Sequence, residues 1–291
     1  MNGVEARMVG SGLNADIERQ LQRAIHQLGR PGDARHKGIH QARKALRRSR
    51  AALALAAPAW EGAPRAADGE VSPASLRAAA VLRRADAELR QLCRGLSSLR
   101  DADALQDALL HLVRDAVIGP LEGERLAVPV LALRQGRLDA ALARDPDFAR
   151  RRQRIAKVAA SLASLPWAEL TVGSVVQAHA VSRKRLEKAR RRARRSSDPE
   201  DGHRLRRRLR RLRQQEQVLA RAAPELGLRS EGLDTLATQM GLAQDHALLL
   251  AHCRRAGVFA ARDRATLRRL VEPLYADARE STAAALAERK A

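Results

Sequence analysis

Residues Ile39–Leu53 have the sequence IHQARKALRRSRAAL, which predicts how the chain folds. Small and apolar residues recur there at alternating steps of three and four, the pattern of a helix that buries one stripe against neighbouring helices. A histidine or arginine follows most stripe positions by one residue, so positive charge runs beside the buried side. We therefore predict an α-helix with a buried stripe and a basic ridge. The stripe comprises Ile39, Ala42, Leu46, Ser49, Leu53 and Ala56, and the ridge comprises His40, Arg43, Arg47 and Arg50.

A second stretch, Gly202–Gln215, repeats the basic pattern in the sequence GHRLRRRLRRLRQQ. Its histidine and arginines match those of the first stretch at five positions, with a constant offset of 163 residues. Leucines between the basic residues predict a second buried stripe. The matched pairs are His40 and His203, Arg43 and Arg206, Arg47 and Arg210, Arg48 and Arg211, and Arg50 and Arg213; the leucines are Leu205, Leu209, Leu212 and Leu219.

An acidic segment follows each basic stretch, LRDAD at Leu99–Asp103 and LAQDH at Leu242–His246. Asp101 and Asp245 are 144 residues apart, and a loop at residues 59–73 has about the size of the 19-residue difference from the first offset. Because two features recur in the same order, we predict an internal duplication. The expected organisation is a flexible N-terminus at 1–12, a first helical half at about 13–165 and a second at about 169–291.

The composition favours an all-α fold. Hydrophobic residues make up 45% of the chain but aromatic residues only 2%, so the core must consist of Ala, Leu, Ile and Val, which pack well between helices. Proline and glycine separate the helical segments, with Pro58 expected to end the second and Pro129 expected in the opening turns of the fifth. The predicted helices cover about 13–28, 35–57, 74–94, 101–117, 126–143, 147–165, 173–195, 200–222, 232–255 and 261–289.

The net charge of +22, from 55 Lys and Arg against 33 Asp and Glu, indicates an anionic partner. Between Arg183 and Arg213 there are 16 Lys and Arg against four acids, so like charges repel one another along the helices unless a ligand neutralises them. Basic positions three or four residues apart lie about 5 Å apart along a helix, which is the scale of one or two phosphate units. The ridges therefore suit a repeating anion better than a compact one, although a solvated, salt-bridged face is the structural alternative.

The two basic stretches and the two acidic segments resemble the CHAD family, the conserved-histidine α-helical domain. The motifs that carry the resemblance are IHQARKALRRSRAAL, LRDADALQDAL (Leu99–Leu109), GHRLRRRLRRLRQQ and GLAQDHALLL (Gly241–Leu250), and the likeness extends from about residue 13 to the end of the chain. The resemblance implies two pseudo-symmetric four-helix-bundle-like halves that form one compact unit with a basic cleft. It also implies binding of inorganic polyphosphate and, in some members, association with polyphosphate or polyester storage granules and their proteins.

The resemblance implies that the polyphosphate-binding residues are those of the two predicted ridges together with Arg48 and Arg211. Lys44 and Arg207 join them because they occupy equivalent positions in the two halves. The chain departs from the family in lacking an N-terminal triphosphate-tunnel segment and aromatic residues around the first motif, and in having Gln244 where Asn is usual. The candidate binding residues are His40, Arg43, Lys44, Arg47, Arg48, Arg50, His203, Arg206, Arg207, Arg210, Arg211 and Arg213.

Catalytic and metal-binding functions find little support in the sequence. His36 and His40 are four residues apart, a spacing that suits a metal on a helix, but no third ligand is recognisable near them. His40 and His203 are expected to donate hydrogen bonds to phosphate, or alternatively to anchor the starts of their helices. Asp101, Asp103 and Asp245 could hold Mg²⁺, but a role in starting helices and orienting arginines is preferred. We expect no enzyme activity, no metal and no cofactor, since no nucleotide-binding or nucleophile motif is present.

Nucleic acid is the main alternative ligand, because so basic a chain attracts DNA and RNA at low salt. The five aromatic residues are scattered away from the ridges and offer no stacking platform, so nucleic acid is expected only as a non-specific competitor. A granule-coat or scaffold protein is a third possibility. Cys93 and Cys253 predict neither a disulfide framework nor a zinc site. The absence of a signal peptide or of about 18 consecutive apolar residues predicts a cytoplasmic protein without a membrane span, and the family resemblance adds polyphosphate or polyester granules as an expected location.

Overall fold

The computed structural model describes residues 3–61, 73–196, 198–230, 232–254 and 256–287. Throughout these ranges the regular structure is helical, which confirms the all-α prediction. Short 3₁₀ turns at Pro146–Phe148, Trp167–Glu169 and Pro224–Leu226 punctuate the chain. The α-helices of the described residues are α1 (Gly3–Leu28), α2 (Ala34–Glu61), α3 (Pro73–Gly95), α4 (Ser97–Arg114), α5 (Pro120–Arg144), α6 (Ala149–Ala163), α7 (Val172–Arg195), α8 (Pro199–Ala222), α9 (Leu233–His252) and α10 (Ala261–Ala287).

The chain forms two compact units. Unit 1 consists of Met1–Leu96 and Asp147–Glu231, and therefore of α1, α2, α3, α6, α7 and α8. Unit 2 consists of Ser97–Pro146 and Gly232–Ala291, and therefore of α4, α5, α9 and α10. The compact units thus differ from the sequential halves expected at 13–165 and 169–291, because each unit takes helices from both halves.

Several helix boundaries differ from the sequence predictions, and three of them affect how the sequence was interpreted. The first helix begins at Gly3 rather than near residue 13, because Val9 extends the buried stripe of Leu13 towards the N-terminus; the segment 1–12, expected to be flexible, is helical from Gly3. Helix α2 continues through Pro58 to Glu61 instead of ending there. Helix α5 begins at Pro120, so that Pro129 lies well inside it rather than in its opening turns. Of the loop predicted at 59–73, residues 62–72 lie outside the described residues.

The buried stripes of α2 and α8 are confirmed. Helix α2 packs against α1, α3, α7 and α8, and for this reason its stripe is enclosed by other helices of unit 1. Ser49 is the polar member of this stripe, and its hydroxyl donates to the Ala45 carbonyl at 3.3 Å. On α8 the four predicted leucines are equally buried. The residues of the two stripes, all at most 2% exposed, are Ile39, Ala42, Leu46, Ser49, Leu53, Ala56, Leu205, Leu209, Leu212 and Leu219.

Aromatic residues lie in the cores of both units. In unit 1, Trp60 and Trp167 meet edge to face with ring centroids 5.5 Å apart, and the Trp167 indole donates to the Leu162 carbonyl. In unit 2, Phe259 is buried among aliphatic side chains of α4, α5, α9 and α10. None of the helices that the structure describes is both long and apolar enough to cross a membrane.

Candidate anion-binding site

The two predicted ridges lie on α2 and α8, which pack against each other in unit 1. Side chains of α8 reach the backbone of α2: Arg211 Nη2 and Gln215 Nε2 each lie 3.4 Å from a carbonyl oxygen, those of Arg50 and Ala51. In the other direction, Arg48 Nη2 of α2 lies 3.5 Å from Gln217 Oε1 of α8. The twelve candidate residues, 163 positions apart in two groups, are therefore carried by one pair of touching helices, named here the α2–α8 pair.

The candidate residues of the α2–α8 pair differ in exposure. His203 and Arg207 are exposed near the start of α8, and Arg207 forms an ion pair with the exposed Glu200 of the same helix. The remaining ten are half-buried, as expected for side chains that lie beside a buried stripe. Partial burial restricts the long basic side chains, so that ligand binding would cost them less rotamer entropy than it would cost fully exposed ones.

At one place on the α2–α8 pair, several arginines surround Asp86 of α3. Arg50 donates from Nε and Nη2 to the two carboxylate oxygens at 2.8 and 3.3 Å, and Arg90 Nη2 donates to Oδ2 at 2.8 Å. Arg211 Nη2 lies 4.0 Å from Oδ1. Burial alone would raise the pKa of Asp86, but the hydrogen bonds and charge of Arg50, the hydrogen bond of Arg90 and the charge of Arg211 hold that pKa below its usual range. We call these residues the Asp86 cluster.

Positive charge at the Asp86 cluster extends onto α7. Burial lowers the pKa of Arg211, Asp86 opposes this effect, and the charges of Arg50, Arg208 and Arg185 lower the pKa further. Arg208 behaves in the same way, with burial first and Arg185 of α7 as the next cause. A guanidinium pKa falls when neighbouring positive charge is incompletely neutralised. One carboxylate therefore leaves an excess of positive charge at this place.

A second group of basic side chains surrounds Asp16 of α1, whose carboxylate is 1% exposed. Arg221 of α8 donates to both of its oxygens at 3.0 and 3.3 Å, and Arg19 donates at 2.9 Å. Burial and the charges of Arg221 and Arg23 lower the pKa of Arg48, with Asp16 opposing them. The buried Nε of Arg48 finds no hydrogen-bond acceptor among the described residues. We call this group the Asp16 cluster.

Lys44 belongs to the same surroundings. Burial lowers its pKa first, followed by the charges of Arg48, Arg23 and Arg47. Arg23 comes from α1, so the positive surface involves a third helix besides the α2–α8 pair. A polyanion placed there would reverse the effect, since negative charge favours the protonated amine.

Arg43 also contributes to packing. Its Nη1 donates to the Cys93 carbonyl at the end of α3 at 2.7 Å, and so supplies a donor for one of the last carbonyl groups of that helix. Burial raises the pKa of the Cys93 thiol, with the charges of Arg43 and Arg50 opposing it. A buried thiol of raised pKa is poorly nucleophilic, so Cys93 is better suited to packing than to chemistry.

Several residues at these clusters did not follow from the sequence. The packing of α3, α7 and α8 against α2 brings together Arg185, Arg208 and the acceptor Asp86. The packing of α1 against α2 and α8 adds Arg23 and Asp16. The heptad-like spacing of the ridges contains no information about which neighbouring helix will supply an acid. The only local signal was the density of arginine between 183 and 213.

The predicted acidic segments occupy different positions on their helices. Asp103 lies in the first turns of α4 and accepts a hydrogen bond from Arg134 Nε of α5 at 2.6 Å, as expected for an arginine-orienting carboxylate. Asp245, however, lies in the middle of α9, so the second segment is not a turn that starts a helix. His36 is buried and His40 half-buried on α2. Within the described ranges, no three His, Cys, Asp or Glu side chains are grouped closely enough to hold a metal ion.

The chemistry available at the α2–α8 pair is that of cation-assisted hydrogen bonding. Guanidinium groups can each donate two hydrogen bonds to a phosphate or carboxylate.

The family resemblance of the two motifs stays a prediction. No protein-family model, no curated protein and no solved structure matches this chain.

Proposed function

We propose that unit 1 binds inorganic polyphosphate, without catalysis, on the α2–α8 pair. The observation that carries the proposal is that the two helices with the basic ridges pack against each other, with contacts from Arg211 and Arg48, each of which directly follows a ridge residue. Under this proposal, residues that the sequence separates by 163 positions contribute to one binding surface. A long anion could contact both ridges at once, whereas either ridge alone offers only about three helical turns.

The charge balance at the α2–α8 pair supports a polyanionic ligand. Each of the two clusters contains one carboxylate, Asp86 or Asp16, amid several arginines. Lys44, Arg48 and Arg211 all have pKa values below their usual ranges, and neighbouring cations are among the causes in each case. A bound chain of phosphates would relieve this repulsion and release counterions, so the affinity should depend strongly on salt.

Several side chains of the α2–α8 pair have a second, structural role. Arg43 and Arg50 are tied to α3, and Arg207 pairs with Glu200. We assign the main contribution to affinity to Arg47, Arg206 and Arg210, half-buried arginines that each directly follow a leucine of a buried stripe. Arg43 and Arg50 also hold the helices together. The absence of a catalytic function, the duplication, the basic cleft and the CHAD family membership belong to this proposal as well.

The helix arrangement supports the duplication. The helices with the basic motifs, α2 and α8, both belong to unit 1, and those with the acidic segments, α4 and α9, both belong to unit 2. Between α2 and α4 lies the whole of α3, whereas the described residues between α8 and α9 contain only a 3₁₀ turn. Helix α3 is thus a better explanation of the 19-residue difference in offset than the loop at 59–73.

Nucleic acid remains the second candidate because of the charge alone. Base stacking on aromatic side chains is the usual source of affinity for single strands. Here Trp60, Trp167, Phe148 and Phe259 are at most 5% exposed and belong to the cores. We therefore expect nucleic acid to compete non-specifically, and we retain attachment to a storage granule as a possible use of the same surface.

The experiment that tests this proposal is competition binding near physiological salt. Labelled long-chain polyphosphate is displaced by duplex DNA, single-stranded RNA and ATP at matched phosphate concentration. We expect polyphosphate to win by about 100-fold or more, equivalent to about 2.7 kcal/mol. Equal competition by all polymers, with binding that disappears as salt is added, would contradict a shaped site.

A matched pair of variants locates the site. The variant Arg47→Gln, Arg206→Gln, Arg210→Gln should lose about 30-fold or more in affinity, since each charge-assisted contact contributes on the order of 1 kcal/mol. The control removes three charges from exposed arginines of unit 2, with Arg254, Arg262 and Arg269 changed to Gln. A similar loss in both variants, with helicity unchanged, would show that total charge rather than the α2–α8 pair determines binding.

A further inference from the structure

A separate cleft lies at the turn that joins α7 to α8 in unit 1. Its volume is about 690 Å³, within the range of clefts that bind small ligands. None of its lining residues belongs to the twelve candidate residues on the α2–α8 pair. The cleft is lined by Lys188, Arg191, Arg192, Arg195, Ser196 and Asp201.

Three of the lining cations follow one side of α7. Lys188, Arg191 and Arg195 are spaced by three and four residues, so they lie on the same side over two turns, about 10 Å from first to last. Their side chains are exposed. Within the part of the chain that the structure describes, none of the three forms an ion pair or a side-chain hydrogen bond.

The fourth lining cation, Arg192, is held in place by Asp201 at the base of the cleft. Arg192 Nε lies 2.7 Å from Asp201 Oδ1, and Arg204 Nη1 lies 3.4 Å from the same oxygen. The Asp201 carboxylate is only 3% exposed. Hydrogen bonds from Arg192 and Ser196 and the charge of Arg204 lower its pKa, against the effect of burial. Asp201 is therefore a negative group already shared by two arginines, whereas the other three cations line the cleft with no ion pair to an acid among the described residues.

The macrodipole of α7 gives an alternative explanation for part of this arrangement. Cations in the last turn of a helix are favourable, typically by about 0.3–1 kcal/mol each. That accounts for Arg192 and Arg195, which belong to the last turn, but not for Lys188 and Arg191, which lie before it.

We propose that the α7–α8 cleft binds an oligophosphate of about three phosphates, as a second anion site distinct from the α2–α8 pair. A row of cations about 5 Å apart along the helix matches one or two phosphate units per step. The limited length of the row, two turns, favours a short chain over a long one. The same chemistry occurs in free tripolyphosphate, in the triphosphate of a nucleotide and at the end of a longer chain.

Calorimetric titration with tripolyphosphate tests the cleft. To remove competition from the other site, the titration uses the background Arg47→Gln, Arg206→Gln, Arg210→Gln. We expect saturable binding of one tripolyphosphate, at least tenfold tighter than orthophosphate. Adding Lys188→Gln, Arg191→Gln and Arg195→Gln should weaken it by at least tenfold, while Arg192 stays unchanged to protect the ion pair with Asp201.

The matched control for the cleft removes three charges from the same helix outside the lining. This control changes three exposed residues and should weaken the binding of tripolyphosphate by less than threefold. The changes are Arg183→Gln, Lys184→Gln and Arg194→Gln. Equal loss in both variants, or tripolyphosphate binding no tighter than orthophosphate, would overturn the proposal. If ATP binds as tightly as tripolyphosphate, the triphosphate of a nucleotide is a source of the ligand. If ATP binds much more weakly, the ligand is a free chain or the end of a longer chain.

The two proposals can fail separately. If long-chain polyphosphate shows no preference over DNA in the wild-type protein but tripolyphosphate still depends on Lys188, Arg191 and Arg195, the α2–α8 proposal is wrong and the cleft stands. If long-chain polyphosphate is preferred over DNA but tripolyphosphate binding does not depend on these three cations, the α2–α8 proposal stands and the cleft is an ordinary solvated helix end. Circular dichroism of each variant shows whether the fold is retained.

Discussion

Arg50 and Asp86 form a two-point ion pair that joins α2 to α3, with Nε–Oδ1 at 2.8 Å and Nη2–Oδ2 at 3.3 Å. Arg90 donates to the same carboxylate, and Arg211 approaches it from α8. The carboxylate side chain is 21% exposed. Asp86 is therefore both a structural link among three helices and a negative charge at the proposed polyphosphate surface.

Replacing this carboxylate should have opposite effects on stability and binding. We expect Asp86→Asn to lower the free energy of unfolding by about 1–3 kcal/mol, because charge-assisted hydrogen bonds to Arg50 and Arg90 weaken. The same change removes a negative charge from the site, so the affinity for polyphosphate should rise. Urea unfolding at pH 7 with and without polyphosphate measures both effects, and a variant that loses affinity would contradict the proposed position of the ligand.

The pKa of Asp86 fixes the pH window of its contribution. Because this pKa is lowered in the folded protein, the stabilisation is present above the unfolded value of about 3.9 and is lost as the pH falls through the folded value. The difference between wild type and Asp86→Asn should therefore shrink in strongly acidic solution.

The buried carboxylate of Asp16 gives a second prediction. Arg221→Met leaves Arg19 as its hydrogen-bond donor among the described residues. We expect a loss of about 2–4 kcal/mol in the free energy of unfolding, since removing one partner leaves the buried charge less well compensated. The double variant Asp16→Leu, Arg221→Met removes both charges and should be more stable than Arg221→Met. Chemical unfolding measures the free energy of unfolding of the two variants. A double variant that is less stable than Arg221→Met would show that Asp16 has further essential partners.

The close packing of α1 against α2 gives a third prediction. A Cβ atom at Gly38 of α2 would lie 2.2 Å from the Gln27 carbonyl oxygen of α1, so Gly38→Ala must separate the helices. We expect a loss of about 1–3 kcal/mol in the free energy of unfolding. Gly202→Ala on α8 meets no atom within 4 Å and should instead be neutral or stabilising by up to about 1 kcal/mol. Equal effects of the two changes would show that α1 and α2 are less tightly packed than the structure indicates.

The features that could be predicted from the sequence are those that depend on the spacing of residues within a single helix. The stripe from Ile39 to Ala56 follows from steps of three and four within a single helix, and the fold class follows from such steps throughout the chain. The start of α5 was missed because a glycine and a proline at 119 and 120 look like a break, although proline is tolerated at the first helical position. Pro58 was likewise given too much weight as a terminator.

The features that the sequence did not predict depend on packing between distant segments. Asp86 lies 36 residues from Arg50, and Asp16 lies 205 from Arg221, and nothing in the spacing of either acid indicates its partner. The two compact units escaped prediction for the same reason, since α4 meets α9 across more than 100 residues. The basic residues of the candidate site were thus predictable, but the acids that restrain them were not.

Acidic solution should weaken unit 2. Burial lowers the pKa of His246, together with the charge of His111, against the effects of a backbone hydrogen bond to Leu274 and of Asp245 and Asp115. Since the folded protein favours neutral imidazole, the unfolded chain binds more protons, and stability should fall as the pH drops below about 6.5.

Hydrogen exchange at pH 7.5 and 5.5 measures this effect in α9 and α10. His246→Gln should reduce the difference between the two pH values, whereas His203→Gln, at an exposed position of unit 1, should not. If His246→Gln leaves the difference unchanged, other groups account for the acid sensitivity of unit 2.

Proton uptake gives the most direct test of where polyphosphate lies. Burial and the charges of Arg48, Arg23 and Arg47 lower the pKa of Lys44 in the free protein, and phosphates placed beside the amine should raise it again. Binding in alkaline solution should therefore take up protons, and the affinity should fall as the pH rises through the lowered pKa.

Titration calorimetry in two buffers of different ionisation enthalpy measures the uptake. Lys44→Arg keeps the charge and should abolish the uptake while retaining affinity, and Lys157→Arg on α6 serves as the matched control. Uptake that survives in Lys44→Arg would place the polymer away from this part of α2.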